Sequence, residues 1–230
     1  MYQQQRRPHH HQQQHQSNSC ANMRVLNSQD SDSLLSNFPT TRLSYEASIH
    51  KNDKNPNLDY KCFLLPKGRR CIAWATEWRR NKIFAVIEID GWRDNERDRE
   101  RSISPVIRKF HQDNGWLPGR VRILDACFDR TLVYGTVFGG VLFRINEHGS
   151  SNTSQSQSQF FSIHTIYWYK GNPIPPMTLS GHIRLCEDIF ANNDIRQVAY
   201  TKQNSVVFGL PVLCNTEQDA GNIARELPYE

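Results

Sequence analysis

The chain has 230 residues, a formal charge of +5 at neutral pH and a hydrophobic content of 37%, which suits one domain with a polar extension. It contains no run of about 18 apolar residues and no apolar stretch near its start, so we expect neither a membrane span nor a secretory signal. The small excess of positive charge permits nucleic acid or phosphate ligands but does not require them.

The N-terminal region is polar throughout. Residues 1–22 are mainly Gln and His, and residues 23–57 are rich in Ser, Asn and Asp. Such a composition buries too little apolar surface to offset the entropy of ordering, so a disordered tail is predicted over residues 1–57, with at most a short docking helix near residues 31–38. The histidines at 9–11 and 15 could bind a metal ion weakly, but a solvated tail explains them equally well. We predict no metal site and no cofactor, and the tail is a candidate contact for a protein partner.

The segment from residue 58 to residue 214 alternates short apolar runs with turn residues, which is typical of a sheet. Strands are predicted over residues 60–65, 71–76, 82–89, 120–128, 131–137, 141–145, 160–169 and 206–210. One helix is predicted over residues 179–191, and Gly139-Gly140 is interpreted as a hairpin turn. The result is an α+β fold of mostly antiparallel strands with a few flanking helices, followed by a polar tail over residues 215–230.

The six cysteines are too far apart in sequence to form the paired ligands of a zinc ribbon. Cys62, Cys71 and Cys127 lie in apolar runs, where a free thiol behaves as a small hydrophobic group. This pattern predicts a reducing, intracellular compartment, the cytoplasm or the nucleus, although an even number of cysteines also permits disulfides. The alternating charges of residues 93–101 predict a solvated loop, because an RNA-binding patch would need an excess of one sign. The Ser- and Gln-rich residues 149–159 predict a flexible excursion.

Three segments together are similar to a known family. They are residues 63–75, which contain Pro-Lys-Gly-Arg-Arg, residues 121–136, which contain Ile-Leu-Asp, and residues 160–173, which end in Tyr-Lys-Gly-Asn-Pro. In order and spacing they resemble the nucleotide-binding domain of mRNA guanylyltransferases and ATP-dependent ligases. The similarity is closer to a non-catalytic relative, the cap-binding domain of snurportin. We expect similar aromatic-Lys-Gly segments in uncharacterised proteins of large DNA viruses.

The resemblance implies a binding site. It places a base against an aromatic side chain at the end of the third segment and the phosphates near the basic turn of the first. Tyr169 is the best match for the stacking residue and Trp168 the second, since strand alternation puts Tyr167 and Tyr169 on one face and Trp168 on the other. Core packing explains these aromatics equally well. The implied site residues are Tyr169, Trp168, Lys67, Arg69, Arg70 and Lys170.

Other positions have less specific interpretations. The resemblance implies that Asp125 orients a sugar or a basic side chain, and a structural aspartate is an equal alternative. Trp74 and Trp78 are four residues apart on one predicted strand and are interpreted as core. His164 has no second histidine near it in sequence and is interpreted as structural.

The departures from the family decide the predicted function. The catalytic members use a Lys-x-Asp-Gly-x-Arg motif, but here Lys67 is followed directly by Gly68 and Arg69, and Tyr134-Gly135-Thr136 stands in place of an acidic strand end. We therefore predict a non-catalytic protein that binds a nucleotide, a cap or an RNA 5′ end. Two alternatives stay open: a divergent nucleotidyltransferase that forms a Lys67–nucleotide adduct, and an adaptor that keeps the fold without a ligand.

Overall fold

A computed structural model describes residues 23–43, 62–90, 103–125, 130–144, 159–175, 177, 179–192, 195 and 206–227. The strands in these ranges are β1 (Arg24–Val25), β2 (Cys62–Leu64), β3 (Arg69–Trp78), β4 (Asn81–Asp90), β5 (Leu117–Asp125), β6 (Thr136–Arg144), β7 (Gln159–Tyr169), β8 (Asn172–Pro173), β9 (Val206–Gly209) and β10 (Val212–Cys214). The helices are α1 (Ser28–Leu35), α2 (Pro105–Asn114), α3 (Leu179–Ala191) and α4 (Glu217–Glu226), with a 3-10 helix over Arg130–Tyr134. The predicted loop at 93–101, the histidines at 9–15 and residues 149–158 lie outside these ranges.

Eight of the described strands form one sheet in the order β1-β5-β4-β3-β6-β7-β8, and β9 joins the outer edge of β7. The β7–β9 pairing is parallel, and the other pairings in this sheet are antiparallel. A separate two-stranded sheet pairs β10 with β2. The predicted α+β fold of mostly antiparallel strands is confirmed. None of the helices in the described ranges is long and apolar enough to cross a membrane.

Each face of the large sheet carries its own core, because successive side chains of a strand point to opposite faces. On the front face the sheet packs against the 3-10 helix and α3, and side chains of β9 join this core. On the back face the sheet packs against α1, α2 and the segment that follows α1. Buried front-face residues include Cys71, Phe84, Phe138, Phe161, Leu132 and Ile189. Buried back-face residues include Ile72, Trp74, Ile87, Leu34, Phe110 and Trp116.

The predicted hairpin turn at Gly139-Gly140 is wrong. Both glycines lie inside β6, which pairs with β3 and β7 along its length. A Cβ at Gly139 would lie 2.9 Å from the ring of Tyr167, and a Cβ at Gly140 would lie 2.5 Å from the ring of Phe161. These positions are glycine because an aromatic ring from β7 covers each of them, and not because the chain turns. The strand predicted at residues 131–137 is also wrong in its first part, where the 3-10 helix forms.

The predicted tail over residues 1–57 is wrong for residues 23–43. In this segment β1 pairs with β5, and α1 places Leu34 and Leu35, at 2% and 3% exposure, in the back-face core. Asn27 caps α1, and its side chain accepts a hydrogen bond from the backbone N–H of Asp30 at 2.8 Å. The polar composition hid this segment, because a few well-placed leucines suffice to dock a short helix. Residues 1–22 and 44–57 lie outside the described ranges.

The segment after α1 is held by aromatic side chains of the back face. The Phe38 ring lies 5.3 Å from that of Trp74 and 6.0 Å from that of Trp116, both edge-on. The Trp116 indole N–H donates to the Thr41 carbonyl at 2.9 Å, and the Thr41 N–H donates to the side chain of Asn114 at 2.6 Å. The domain therefore begins well before residue 58.

The predicted polar tail over residues 215–230 is wrong for α4. Thr216 caps this helix, since its hydroxyl accepts a hydrogen bond from the Asp219 N–H at 3.0 Å. Ala220 is buried, and α4 contacts both β2 and β10. The folded part of the chain thus extends past residue 214, the boundary that the apolar runs predicted.

Candidate functional site

The end of β7 does not alternate regularly. Two register irregularities interrupt the β6–β7 pairing, one between Gly139 and Gly140 and one between Val137 and Phe138. Such β-bulges add a residue to one strand and shift every later side chain to the other face. As a result Tyr167 and Trp168 both pack with the back-face core, and Tyr169 packs with the front-face core. The prediction that Tyr167 and Tyr169 share a face is therefore wrong.

Trp168 is attached to the N-terminal segment. Its indole N–H donates to the Thr40 carbonyl at 3.2 Å, and the side chain is half-buried against the back-face core. This contact and the bond between Trp116 and Thr41 fix two successive carbonyls of the segment. Of the two aromatics implied as stacking residues, Trp168 thus has a structural task on the back face.

Tyr169 and Lys170 form a cation–π pair at the C-terminal end of β7. The Lys170 ammonium lies 4.9 Å from the centroid of the Tyr169 ring, within the range of a cation–π contact. The Lys170 N–H donates to the Thr136 hydroxyl at 3.0 Å, and its φ is 50°, a left-handed value that bends the chain into the tight turn between β7 and β8. Lys170 and Gly171 thus form the whole connection between β7 and β8.

Tyr134 lies beside this turn and was not among the predicted site residues. It ends the 3-10 helix, and 67% of it is exposed, the largest value among the exposed large hydrophobic residues of the described ranges. The Gly171 N–H donates to the Gly135 carbonyl at 3.2 Å, and a Cβ at Gly171 would lie 2.8 Å from the Tyr134 carbonyl oxygen. A glycine at 171 therefore lets the two turns approach. The only sequence signal was an aromatic residue directly before a glycine.

The predicted basic residues Lys67, Arg69 and Arg70 lie at the opposite end of the sheet from Tyr169. Arg69 pairs with Leu142 of β6, whereas Tyr169 lies next to the start of β6, where Thr136 pairs with Ala75 of β3. Six residues of β6 separate these two rows, which corresponds to about 20 Å along the strand. The structure thus does not bring the predicted stacking residue and the predicted phosphate contacts together around one nucleotide.

The basic turn is also divided between the two faces. Arg69 points to the front, where its guanidinium contacts Glu88 at 2.7 Å, and Arg70 points to the back because it is the next residue of the strand. Lys67 is exposed just before β3. At the Tyr169 end of the sheet, Arg80 and Lys82 are exposed around the β3–β4 turn. No local pattern in the sequence relates this turn to residue 169, so these two cations could not be predicted as site residues.

Glu88 is the acceptor for two arginines on the front face. The Nη1 atoms of Arg69 and Arg122 both contact its Oε1 atom. Partial burial tends to raise the pKa of this carboxyl, but the hydrogen bonds from Arg69 and Arg122 and their charges outweigh it, so the net pKa is lowered. The pKa of Arg69 is raised, first by its hydrogen bond to Glu88. Glu88 is therefore an ionised structural partner and not a free base.

Two buried thiols and the metal-ligating side chains of the described residues offer no reactive centre. Burial raises the pKa of the Cys71 and Cys186 thiols to about 12, so both are protonated packing groups. No group of three or more His, Cys, Asp or Glu residues within the described ranges could hold a metal ion. The backbone of Asp125 ends β5 opposite Ile83.

His164 is half-buried on β7, and its Nδ1 lies 3.0 Å from the Thr165 hydroxyl.

Comparison with known protein families gives no match for this chain. No curated protein matches it at a significant level.

Proposed function

We propose that the domain binds the 5′ end of an RNA without catalysing a covalent step, with the terminal base against Tyr169. The observation that carries the proposal is the exposed Tyr134, whose backbone lies against the turn that follows the half-buried Tyr169–Lys170 pair. Proteins bind unpaired bases by stacking them on aromatic rings and holding the phosphates with cations.

The ligand class follows from the separation of the basic residues. A single nucleotide that stacks on Tyr169 has Lys170 within reach, whereas Arg69 is about 20 Å away along the sheet. An RNA strand of several nucleotides covers more of the surface, and the exposed Arg80 and Lys82 lie at the correct end of the sheet to contact its phosphates. An RNA strand is therefore a better candidate than a free mononucleotide, and the resemblance to a cap-binding domain is what favours its 5′ end.

The surroundings of Lys67 support a binding role over a catalytic one. Adduct formation needs a lysine with a lowered pKa and a metal held by carboxylates near the phosphates. Lys67 is exposed, and Glu88, the carboxylate on the neighbouring part of the front face, is occupied by Arg69 and Arg122. The proposal accordingly assigns no chemical step to Lys67.

A fluorescence titration with short capped, uncapped and 5′-hydroxyl RNAs tests the proposal. Tyr134→Ala and Tyr169→Ala should each weaken binding by about tenfold to a hundredfold, because stacking of one base contributes roughly 1–3 kcal/mol. Tyr134 is the safer probe, since its exposed ring does not support the core. Lys170→Ala should weaken binding more at low salt than at high salt. Lys109→Ala, an exposed lysine of α2, is the matched control and should bind as the unchanged protein does.

Two results would contradict the proposal. If the folded protein binds none of the RNAs, or binds them equally well after both tyrosine substitutions, this end of the sheet is not a base site and the adaptor alternative gains support. A labelled nucleotide that stays attached to the denatured protein after incubation with ATP or GTP and a divalent metal, and is lost in Lys67→Ala, would instead establish a nucleotidyltransferase.

A further inference from the structure

The front face carries a group of charged side chains at the end of the sheet that lies away from Tyr169 and Lys170. Arg122 of β5 is largely buried, with 11% of its side chain exposed, and Glu88 of β4 has 18% exposed. Arg69 of β3 reaches the same carboxylate from outside and has 61% exposed. Three neighbouring strands therefore place two guanidinium groups and one carboxylate in a single layer.

The charges of this layer do not balance. Both guanidinium groups contact the same oxygen, Oε1 of Glu88, so one negative charge faces two positive charges. Each guanidinium has five N–H donors, and in the described part of the chain Arg69 and Arg122 have no other hydrogen-bond acceptor. A largely buried cation is stable only when it is paired and its donors are used. Within the described ranges, the layer therefore leaves guanidinium donors without a protein acceptor and carries an excess positive charge.

Among the described residues, Glu88 is the only carboxylate that contacts either guanidinium group. Cys71, the cross-strand neighbour of Glu88, is a protonated thiol because burial raises its pKa to about 12. Asp90 is half-buried two residues further along β4 and has a polar contact of its own. Lys67 and Arg120 are exposed next to Arg69 and Arg122 along the chain and add positive charge.

The neighbouring strand presents a glycine towards the carboxylate. Gly119 faces Glu88 and Asp90, and a Cβ at this position would make ordinary contacts with their Cβ atoms at 3.4 Å and 3.6 Å. A side chain is thus absent on the strand next to Glu88. The exposed guanidinium of Arg69 marks the side from which a solute reaches the layer.

We infer that Arg69 and Arg122 form a binding site for a phosphate-class oxyanion. The planar guanidinium offers paired N–H groups that match the oxygens of a phosphate, and two convergent guanidinium groups surround it from two sides. In the free protein Glu88 holds the two groups in place. The anion accepts hydrogen bonds from the donors that Glu88 leaves unused, and the negative charge of Glu88 limits how tightly it binds. This inference does not depend on the proposed function, because the site lies about 20 Å from Tyr169 along the sheet.

Phosphate titrations of the full chain, followed by isothermal calorimetry and by the 31P NMR shift of inorganic phosphate and pyrophosphate, test the site. Glu88→Gln keeps the shape of the side chain and removes its charge, so it should tighten anion binding roughly tenfold, since a like charge a few ångströms away repels the ligand. Arg69→Met, at an exposed position, should weaken binding about tenfold through loss of a charge-assisted contact. Arg108→Met, at an exposed arginine of α2, is the control and should leave binding unchanged.

The choice of probe distinguishes two sources of the phosphate group, an RNA backbone and a free anion. A 5′-hydroxyl RNA that loses affinity in Arg69→Met identifies the phosphodiester backbone, and pyrophosphate binding with no response to this RNA identifies a free anion. The site is refuted if the folded protein binds none of the probes, or if Glu88→Gln lowers stability without changing anion affinity, as a purely structural ion network would. Tyr169→Ala should keep its anion affinity, so failure of the base site and failure of this site are distinguishable.

Discussion

At the scale of single residues, the glycines of β6 illustrate how a side chain from another strand fixes a residue type. A Cβ at Gly140 would clash with the Phe161 ring at 2.5 Å and with the carbonyl oxygen of Ser162. We expect Gly140→Ala to lower the free energy of unfolding by about 1–3 kcal/mol or more, because an added methyl overpacks a close contact. Urea denaturation followed by circular dichroism measures the change.

Gly221 is the matched control for this substitution. It lies inside α4, and a Cβ there would meet nothing within 4 Å. Gly221→Ala should therefore raise the free energy of unfolding by roughly 0.5–1 kcal/mol, since alanine loses less conformational entropy than glycine in a helix. Equal effects of the two substitutions would show that the aromatic cover over β6 is not the cause.

Glu88 allows a prediction of pH dependence at the same scale. Its folded-state pKa is below the ordinary value of 4.5, because the bonds to Arg69 and Arg122 outweigh the effect of burial. The stability that it contributes is therefore present above pH 4.5 and is lost as the pH falls through the lower folded value. Glu88→Gln should be less stable than the unchanged protein at pH 7, and the difference should shrink below about pH 4.5. Thermal melts at both pH values test this, and a constant difference would contradict it.

At the scale of the elements, the N-terminal segment is the largest departure from the sequence prediction. Leu34 and Leu35 are almost fully buried, and the Phe38 ring packs between two tryptophans. A chain starting at residue 58 should lose cooperative thermal unfolding relative to one starting at residue 23, because each buried leucine contributes roughly 1.5–3 kcal/mol to a total of about 5–15 kcal/mol.

Point substitutions separate this effect from chain length. Leu34→Ala should cost about 2–5 kcal/mol of unfolding free energy, whereas Leu65→Ala, at a position with 46% exposure, should cost less than about 1 kcal/mol. Chemical denaturation of both variants gives the comparison. A retained transition in the chain that starts at residue 58, with little effect of Leu34→Ala, would restore the boundary that the composition predicted.

Strands with strong local patterns were predictable, and elements fixed by distant contacts were not. The apolar runs at 71–76 and 82–89 became β3 and β4, and the helix predicted at 179–191 is α3. The pattern at 105–114 was overlooked although its signals are local, since Ser104 caps α2, Pro105 opens it and Gly115 closes it with a φ of 79°. The positions of the bulges in β7 have no such local signal, because they arise from pairing with β6. The faces of Tyr167, Trp168 and Tyr169 could therefore not be derived from alternation.

At the scale of the whole molecule, strand order decides which candidate site residues can act together. The sequence places Lys67 and Tyr169 in separate motifs, and only the register of β3, β6 and β7 shows that they lie at opposite ends of one sheet. The register of β3, β4 and β5 likewise brings Arg122, which belongs to neither of these two motifs, to Glu88 and Arg69. The sequence thus suffices to choose candidate site residues by their chemistry. Which of them lie together in one site depends on pairings between strands that are distant in the chain.

The two sheets should also differ in local stability. The small sheet has two short strands, β2 and β10, and its helix α4 buries only Ala220 among its described residues, whereas β3, β4 and β6 lie in the interior of the large sheet with a core on each face. A two-stranded sheet is marginal without further packing, so its amides should open with less free energy than those of the large sheet.

Native-state hydrogen exchange should show faster exchange in 212–214 and 217–226 than in β3, β4 and β6. Gly221→Ala should slow exchange in α4 and leave the large sheet unchanged. Equal protection of both sheets in low denaturant would mean that they unfold as one unit, and the small sheet would then be as integral to the fold as α1.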